Sequence, residues 1–442
     1  MKKILLIPGN TDLNRGDQAL VWESINLIKE IYDEPDIILM RGDDYRQYEQ
    51  TERLGYRFVD NILRHPGRVV HNNHIRYSKL DLIIIGFRAL LDLIESFLLL
   101  VPCKFVNSLS LAFLPSQYKA TYKEFSECDA IYVKGGGFIH SYGSVIDPYQ
   151  MYYLLFNILL GLRFKKNVFI LPNSIGPFKN KIAARLAIQT LNRCKYISVR
   201  ESVSKSFLEG NRNIKVPVYR HSDLGYYLKA SSFNSDEYLK QHGVNINRPK
   251  VAITLRPYRF PGANNPKELY KTYIDSFVKF SKYIEGKGYQ VVLCAHTLGP
   301  GAHENDTIAI NEVAALLDET KTRYVKICDE SLNCQDVMAL YSSFDYLVGT
   351  RFHSVIFAQN SLVPTIAISY GGNKGIGIME DLSLSEYSIP MNSVVFKELV
   401  AIFENLEENK VNVVQKLKQF RDRIKEDRFN LITEIKSVTC EL

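Results

Sequence analysis

Short apolar runs, each followed by a stretch of helical periodicity, recur along this chain and constrain its architecture more than any other feature. They lie at residues 3–7, 37–40, 130–134, 168–171 and 196–199, and again at 251–255, 290–295, 324–327, 346–348 and 365–369. Strands this short and this uniformly apolar belong in a parallel sheet covered by helices on both faces. After Asp223 the pattern lapses, and residues 229–250 are polar and rich in turn formers. The expected fold class is therefore α/β, with two Rossmann-like domains facing a cleft, at 1–228 and 250–400, and a C-terminal helix within 401–442. A chain of 442 residues with 46% apolar content can furnish two such cores.

Residues 348–374 show what one of these units can hold. An apolar strand ends at Val348, Gly349-Thr350 turns the chain, and a helix pattern built on Phe352, Val355 and Ile356 runs to Val363-Pro364. Arg351 and His353 then fall in the first helical turn, where N–H groups lack intrahelical partners and the dipole favours an anion. The next strand, 365–369, leaves through Tyr370-Gly371-Gly372-Asn373-Lys374 at the same edge, so Lys374 is expected to face Arg351 and His353. Each of these residues alone has an ordinary explanation as a surface charge or a helix-start residue. Gathered beyond the carboxyl ends of two strands, where open α/β sheets bind ligands, they form a candidate active centre for a phosphate or carboxylate.

Other strand ends carry polar groups of the same kind. Asn14-Arg15-Gly16-Asp17 follows the first strand, where Asp17 suits a helix cap and Asn14 and Asp17 also suit sugar hydroxyls. Gly135-Gly136-Gly137 ends the 130–134 strand and permits close backbone approach to a ligand, with His140 just beyond. Residues 173–178 are expected to form a sharply turning loop, and Arg200, Arg256 and His296 each sit at the end of a strand. No G-x-G-x-x-G or G-x-x-x-x-G-K-[ST] motif is present, and no H-E-x-x-H, so neither a dinucleotide or P-loop site nor a metal site is expected.

Charge and composition narrow the partners. A net charge of +7 from 55 basic and 48 acidic residues, without a dense basic run, gives nucleic-acid binding little support. Seven cysteines without a C-x-x-C pair fit reduced thiols in a cytosol. The apolar run near the start is broken by Pro8-Gly9 and reads as a first strand rather than a secretory signal. The lipophilic regions 80–114 and 149–162 are interrupted by charge or too short to span a bilayer. The first belongs to a helical insertion at about 80–115, and both regions are candidates for docking on a bilayer face or a second subunit, or for burial in the core.

Several of these pieces, in this order, resemble the polysaccharide pyruvyltransferase family: Asn14-x-Gly16-Asp17, Gly135-Gly136-Gly137, Ser174-Ile175-Gly176-Pro177, Val199-Arg200-Glu201-Ser202 and Asp223. In the second half the likeness continues with Arg256-Pro257, Arg351-x-His353, Phe357-Ala358, Val363-Pro364, and Tyr370 with Lys374. The resemblance implies a two-domain, glycosyltransferase-B-like protein. It further implies transfer of the enolpyruvyl group of phosphoenolpyruvate to two hydroxyls of a sugar in a surface-polysaccharide precursor, forming a pyruvate ketal. Phosphoenolpyruvate, a donor substrate rather than a cofactor, would be gripped by Arg200, Arg256, Arg351, His353 and Lys374. Arg351 and His353 would be catalytic, with His353 as general acid because an imidazole titrates near working pH. The acceptor, free or lipid-linked, would meet Asn14, Asp17, Gly136, Gly137 and His140, with His296 and Tyr370 as further candidates lining the cleft. The expected location is the cytoplasm, at the inner face of the cytoplasmic membrane if the lipophilic helices dock there. Two rivals share the architecture: a nucleotide-sugar-dependent glycosyltransferase, with Gly371-Gly372 and Glu380 for its nucleotide, and a non-catalytic glycan-binding assembly protein.

Overall fold

The computed structural model describes residues 1–9, 11–42, 48–70, 78–370 and 374–439; the side chains of Arg68, Val69 and Lys374 lie outside that description. The chain forms two compact units. The first comprises Met1–Asp12, Leu20–Leu224 and Asp427–Leu442, and the second Leu13–Ala19 and Gly225–Glu426.

The first unit holds the strands β1 (Lys3–Ile7), β2 (Asp36–Met40), β3 (Arg57–Val59), β4 (Ala130–Val133), β5 (Gly136–Ser141), β6 (Asn167–Phe178), β7 (Tyr196–Val199) and β8 (Tyr219–Arg220). They pair in the order β3-β2-β1-β4-β6-β7-β8, with β5 beside β6. In the second unit, β9 (Lys250–Thr254), β10 (Gln290–Cys294), β11 (Tyr324–Ile327), β12 (Tyr346–Gly349), β13 (Thr365–Ser369) and β14 (Ser388–Pro390) pair as β11-β10-β9-β12-β13-β14. Every pairing recorded in either sheet is parallel, and Val251, Ala252, Ile253, Leu347, Val348 and Ile366 are completely buried. The α/β class with two parallel sheets thus follows from the unbroken apolar character of the strands.

Sheet order also decides where a ligand can enter. The chain builds outward from β9 through β10 to β11, then returns to the other side of β9 as β12. The chain therefore reverses direction across the sheet between β9 and β12, the kind of strand pair at whose carboxyl ends open α/β sheets bind ligands. The first unit has the same reversal between β1 and β4.

Some elements differ from the sequence expectation. Residues 173–178 are not a turning loop but the far half of β6, whose backbone pairs with β5 across two register shifts. The glycine run supplies that partner strand, so buried carbonyls and N–H groups that a loop would leave unpaired are satisfied. The junction lies at Leu224/Gly225, ahead of the polar stretch, which contributes the helix Ser235–Gln241 to the second unit. The C-terminal region is two helices, Phe396–Glu408 and Lys410–Thr439, separated at Asn409. Residues of the last helix up to Glu426 belong to the second unit and those from Asp427 to the first.

Within the first unit that last segment is tied down by a buried histidine. His221 Nδ1 lies 3.0 Å from Asp427 Oδ1 and its Nε2 2.9 Å from Glu434 Oε2, while Tyr196 donates to Glu434 at 2.8 Å. Burial by itself would lower the His221 pKa, but the two carboxylates outweigh it and raise the group above its ordinary value. A raised histidine stabilises the fold fully below its unfolded pKa of about 6.5 and loses that contribution as pH climbs through the folded value. Hydrogen exchange in residues 427–439 is therefore expected to quicken as pH is raised through that interval, after correction for intrinsic rates. His221→Gln should abolish the step, and an unchanged step in that variant would remove His221 as its source.

Candidate active site

Thr254 and Gly349 are register partners, so the residues that follow β9 and β12 leave the second sheet side by side. The Thr350 N–H donates to the Thr254 carbonyl at 3.2 Å, and Thr254 Oγ1 lies 2.9 Å from Ser354 Oγ. A Cβ on Gly349 would meet Val355 Cγ2 at 2.6 Å and Ser354 Oγ at 2.8 Å, so only glycine lets the helix Phe352–Asn360 start this close to the strand.

Arg351 is the N-cap of that helix, with extended backbone, and its guanidinium is largely committed. Nε donates to Asp306 at 2.8 Å and Nη2 to the Glu304 carbonyl at 2.7 Å. Asp306 is fully buried and also accepts the His296 and Thr297 N–H groups at 3.0 and 2.8 Å. Burial alone would lower the Arg351 pKa; Asp306, with Tyr370 and Glu304, more than offsets this and raises it above the ordinary value.

His353, two residues on, packs its imidazole against the backbone of Gly16. A Cβ at Gly16 would lie 2.0 Å from His353 Nδ1. Gly16 can be there because Leu13–Ala19 belongs to the second unit. Leu298 donates to the Leu13 carbonyl at 2.8 Å, Arg15 N–H to the His296 carbonyl at 3.3 Å, and Cys334 N–H to Gln18 Oε1 at 2.7 Å. The Arg15 guanidinium is buried and reaches the Glu330 carbonyl at 2.9 Å. Asn14 and Asp17, candidates for meeting the acceptor, belong to the second unit and bond one another across the start of helix Arg15–Ile31: Asn14 Nδ2 donates to Asp17 Oδ2 at 2.6 Å. Their reciprocal contact satisfies helix-start groups.

Arg256, at the end of β9, lies over the Tyr370 ring at 4.1 Å and the Tyr258 ring at 5.3 Å. Arg256, Arg351, Asp17 and Asp306 all act electrostatically on Glu304, whose carboxyl burial pushes above its usual range against the pull of Arg351. Two features here were not expected from sequence: Asp306 as the partner of Arg351, and Glu304 as a carboxyl that burial holds above its usual range. The signal available for them was the pair of acids around Asn305, which caps the helix Asp306–Glu319.

The second sheet edge thus brings together Arg256, Arg351, His353, Tyr370 and the Asn14–Asp17 turn. His296 lies deeper, stacked on Tyr341 with centroids 6.0 Å apart and meeting Phe357 edge-on. Lys374 opens the helix Lys374–Asp381, but its side chain, like residues Gly371 and Gly372, lies outside the described part.

Arg200 belongs to the first unit. There it is buried, donating from Nη1 to Asp223 at 2.6 Å and from Nε to Ser174 at 2.8 Å, with no partner for Nη2 among the described residues. A Cβ on Gly137 would come within 2.6 Å of that nitrogen, which ties the glycine run to the arginine. Gly136 and His140 lie on β5; His140 sits 4.8 Å from the Tyr142 ring and its pKa is lowered by burial. Among the described residues, no group of three or more His, Cys, Asp or Glu side chains is placed to hold a metal ion.

A family model described as polysaccharide pyruvyl transferase matches residues 14–372. The amylovoran biosynthesis protein AmsJ of Erwinia amylovora is 26% identical over 308 residues, covering 67% of this chain and 71% of that protein. Among solved structures, a UDP-GlcNAc 2-epimerase from Neisseria meningitidis bound to UDP-GlcNAc superposes with a TM-score of 0.57 at 12% identity, covering 98% of this chain and 99% of that one. A putative UDP-N-acetylglucosamine 2-epimerase from Listeria monocytogenes does so with a TM-score of 0.56 at 12% identity, covering 100% and 98%. At these identities the structural likeness speaks to fold alone.

Proposed function

The chain belongs to the polysaccharide pyruvyl transferase family, and from that premise we propose that it moves the enolpyruvyl group of phosphoenolpyruvate onto two hydroxyls of a sugar, forming a pyruvate ketal. The observation that carries this reading is the convergence of Arg256, Arg351 and His353 at the strand reversal of the second sheet. A metabolite with a phosphate and a carboxylate suits two guanidinium groups beside a helix start, and Arg351 and the stacked Arg256 offer them.

In this reading His353 gives a proton to the methylene carbon, and C2 takes on oxocarbenium character. One sugar hydroxyl adds to C2, the C2–O bond to phosphate breaks, and a second hydroxyl closes the ketal. The two hydroxyl protons balance: one is equivalent to that gained by the new methyl group, the other leaves with phosphate. The guanidinium groups stabilise charge on the departing phosphate. The kinship with an amylovoran biosynthesis protein supports a polysaccharide precursor as acceptor.

The test is a panel of free and lipid-linked glycosides incubated with the full-length protein and phosphoenolpyruvate. Phosphate release in step with a pyruvyl mass increment on one acceptor is expected. Turnover of a UDP-sugar instead, with release of UDP and no response to phosphoenolpyruvate, would overturn the reading in favour of a glycosyltransferase.

A further inference from the structure

The helix Lys79–Leu100 is anchored on one side and bare on the other. On its inner side Asp92 and Leu99 are buried, Arg88 pairs with Asp92 at 2.6 Å, and Ser96 Oγ lies 2.9 Å from Tyr152. On its outer side Leu80, Ile83, Phe87, Leu90, Ile94 and Phe97 recur every three or four residues, each more than half exposed. The following helix, Lys104–Phe113, is fixed through Asn107, which donates to the Leu98 and Val101 carbonyls at 3.1 and 2.9 Å. It extends the bare surface with Phe105, Leu109 and Phe113, of which Phe113 is 83% exposed. Folding has thus spent polar contacts to hold the inner faces in place while a continuous hydrocarbon surface meets water.

From this geometry we propose that the two helices dock flat on an anionic membrane surface. Three observations favour a bilayer over a protein partner. The large exposed apolar side chains on these helices are Leu, Ile and Phe alone; of the residues enriched at protein interfaces only Phe is among them, without tyrosine or tryptophan. The stripe is also too broad for a two-helix seam: Ile84, Leu91 and Leu98 occupy the flanking positions where a coiled coil places charges to set register. Finally, Lys79 and Lys104 open the two helices, Lys119 follows, all three are exposed, and residues 96–123 contain no acid, while the acids of the first helix are engaged locally, Asp81 by the Ser78 N–H and Asp92 and Glu95 by Arg88. Apolar side chains below and lysines at headgroup level are the pattern of a helix lying in the interface. Among the described residues no helix is long and apolar enough to cross a membrane, so the contact is one of lying on, not spanning. If the pyruvyl-transfer reading holds, an acceptor carried on a membrane lipid would be met at the same surface.

Flotation of the full-length protein tests this independently of the reaction. Vesicles of phosphatidylcholine alone and vesicles containing phosphatidylglycerol serve as probes, compared at low and high salt. The protein is expected to float with the anionic vesicles, less at high salt. An Ile83→Gln/Phe87→Gln/Ile94→Gln variant should lose about tenfold of that recovery, with its circular dichroism and melting temperature kept. A Lys104→Glu/Lys119→Glu variant should lose the preference for anionic vesicles. Failure of the wild type to float with either vesicle overturns the proposal. So does a wild-type dimer in light scattering that the triple glutamine variant turns into a monomer, since a second copy would then cover the surface.

Discussion

Gly16→Ala is expected to lower turnover by about 10²-fold and to destabilise the protein by about 1–3 kcal/mol. Backbone preference points the other way, because alanine in a helix is favoured over glycine by roughly 0.5–1 kcal/mol. The opposing fact is steric: the added methyl would sit 2.0 Å from Nδ1, 2.3 Å from Cγ and 2.5 Å from Cβ of His353. Turning the ring relieves Nδ1 but not Cβ, so the His353 backbone must also give way, and displacing a catalytic group by about 1 Å can cost on the order of 10² in rate. Under the proposed mechanism, removing the imidazole itself, in His353→Asn, should cost about 10²–10⁴ in kcat, the usual worth of a general acid. If Gly16 acts only by positioning that ring, the double variant will be no slower than His353→Asn alone. The readouts are kcat with phosphoenolpyruvate and the melting temperature of each variant. Wild-type kcat in Gly16→Ala, or losses that multiply in the double variant, would remove Gly16 as a positioning residue.

Asp306→Ala is expected to destabilise the second unit by about 3–5 kcal/mol, the cost of leaving one member of a buried ion pair alone. Asp306 is completely buried and serves three donors at once: Arg351 Nε and the N–H groups of His296 and Thr297. Its loss strands a buried guanidinium and two N–H groups that follow β10. Asp306→Asn keeps the shape and one acceptor oxygen, so it should fall between wild type and alanine. Urea denaturation followed by hydrogen exchange in β9, β10 and β12 measures the effect on this unit rather than on the whole chain. If Asp306→Ala shifts protection there by less than about 1 kcal/mol, the pair does not hold Arg351 in place. The same variant should also weaken phosphoenolpyruvate binding, because the Arg351 side chain then loses the contact that aims it.

How much of this was legible beforehand depended on the distance along the chain over which each feature is decided. Strands, their parallel pairing and the helix that begins at Phe352 follow from runs of a few residues, and so did the placing of Arg351 and His353 at a helix start. Apolar periodicity, glycine and proline act locally, and local order survives into the fold. The 173–178 segment shows where that ends: its own residues favour a turn, and pairing with β5, and at Asn173 with β7, makes it strand. Partners chosen from afar could not be read at all. Nothing near Arg351 announces Asp306, nothing near His353 announces Gly16, and Asn14 and Asp17 looked like part of the domain that surrounds them in sequence. Those pairings were decided by where the chain returns after each crossover, which sets loops far apart in sequence at one sheet edge. Sequence alone determined which chemical groups the centre could use and that strand ends would carry them; the tertiary structure decided which were spent on holding the centre together and which were left to face a ligand.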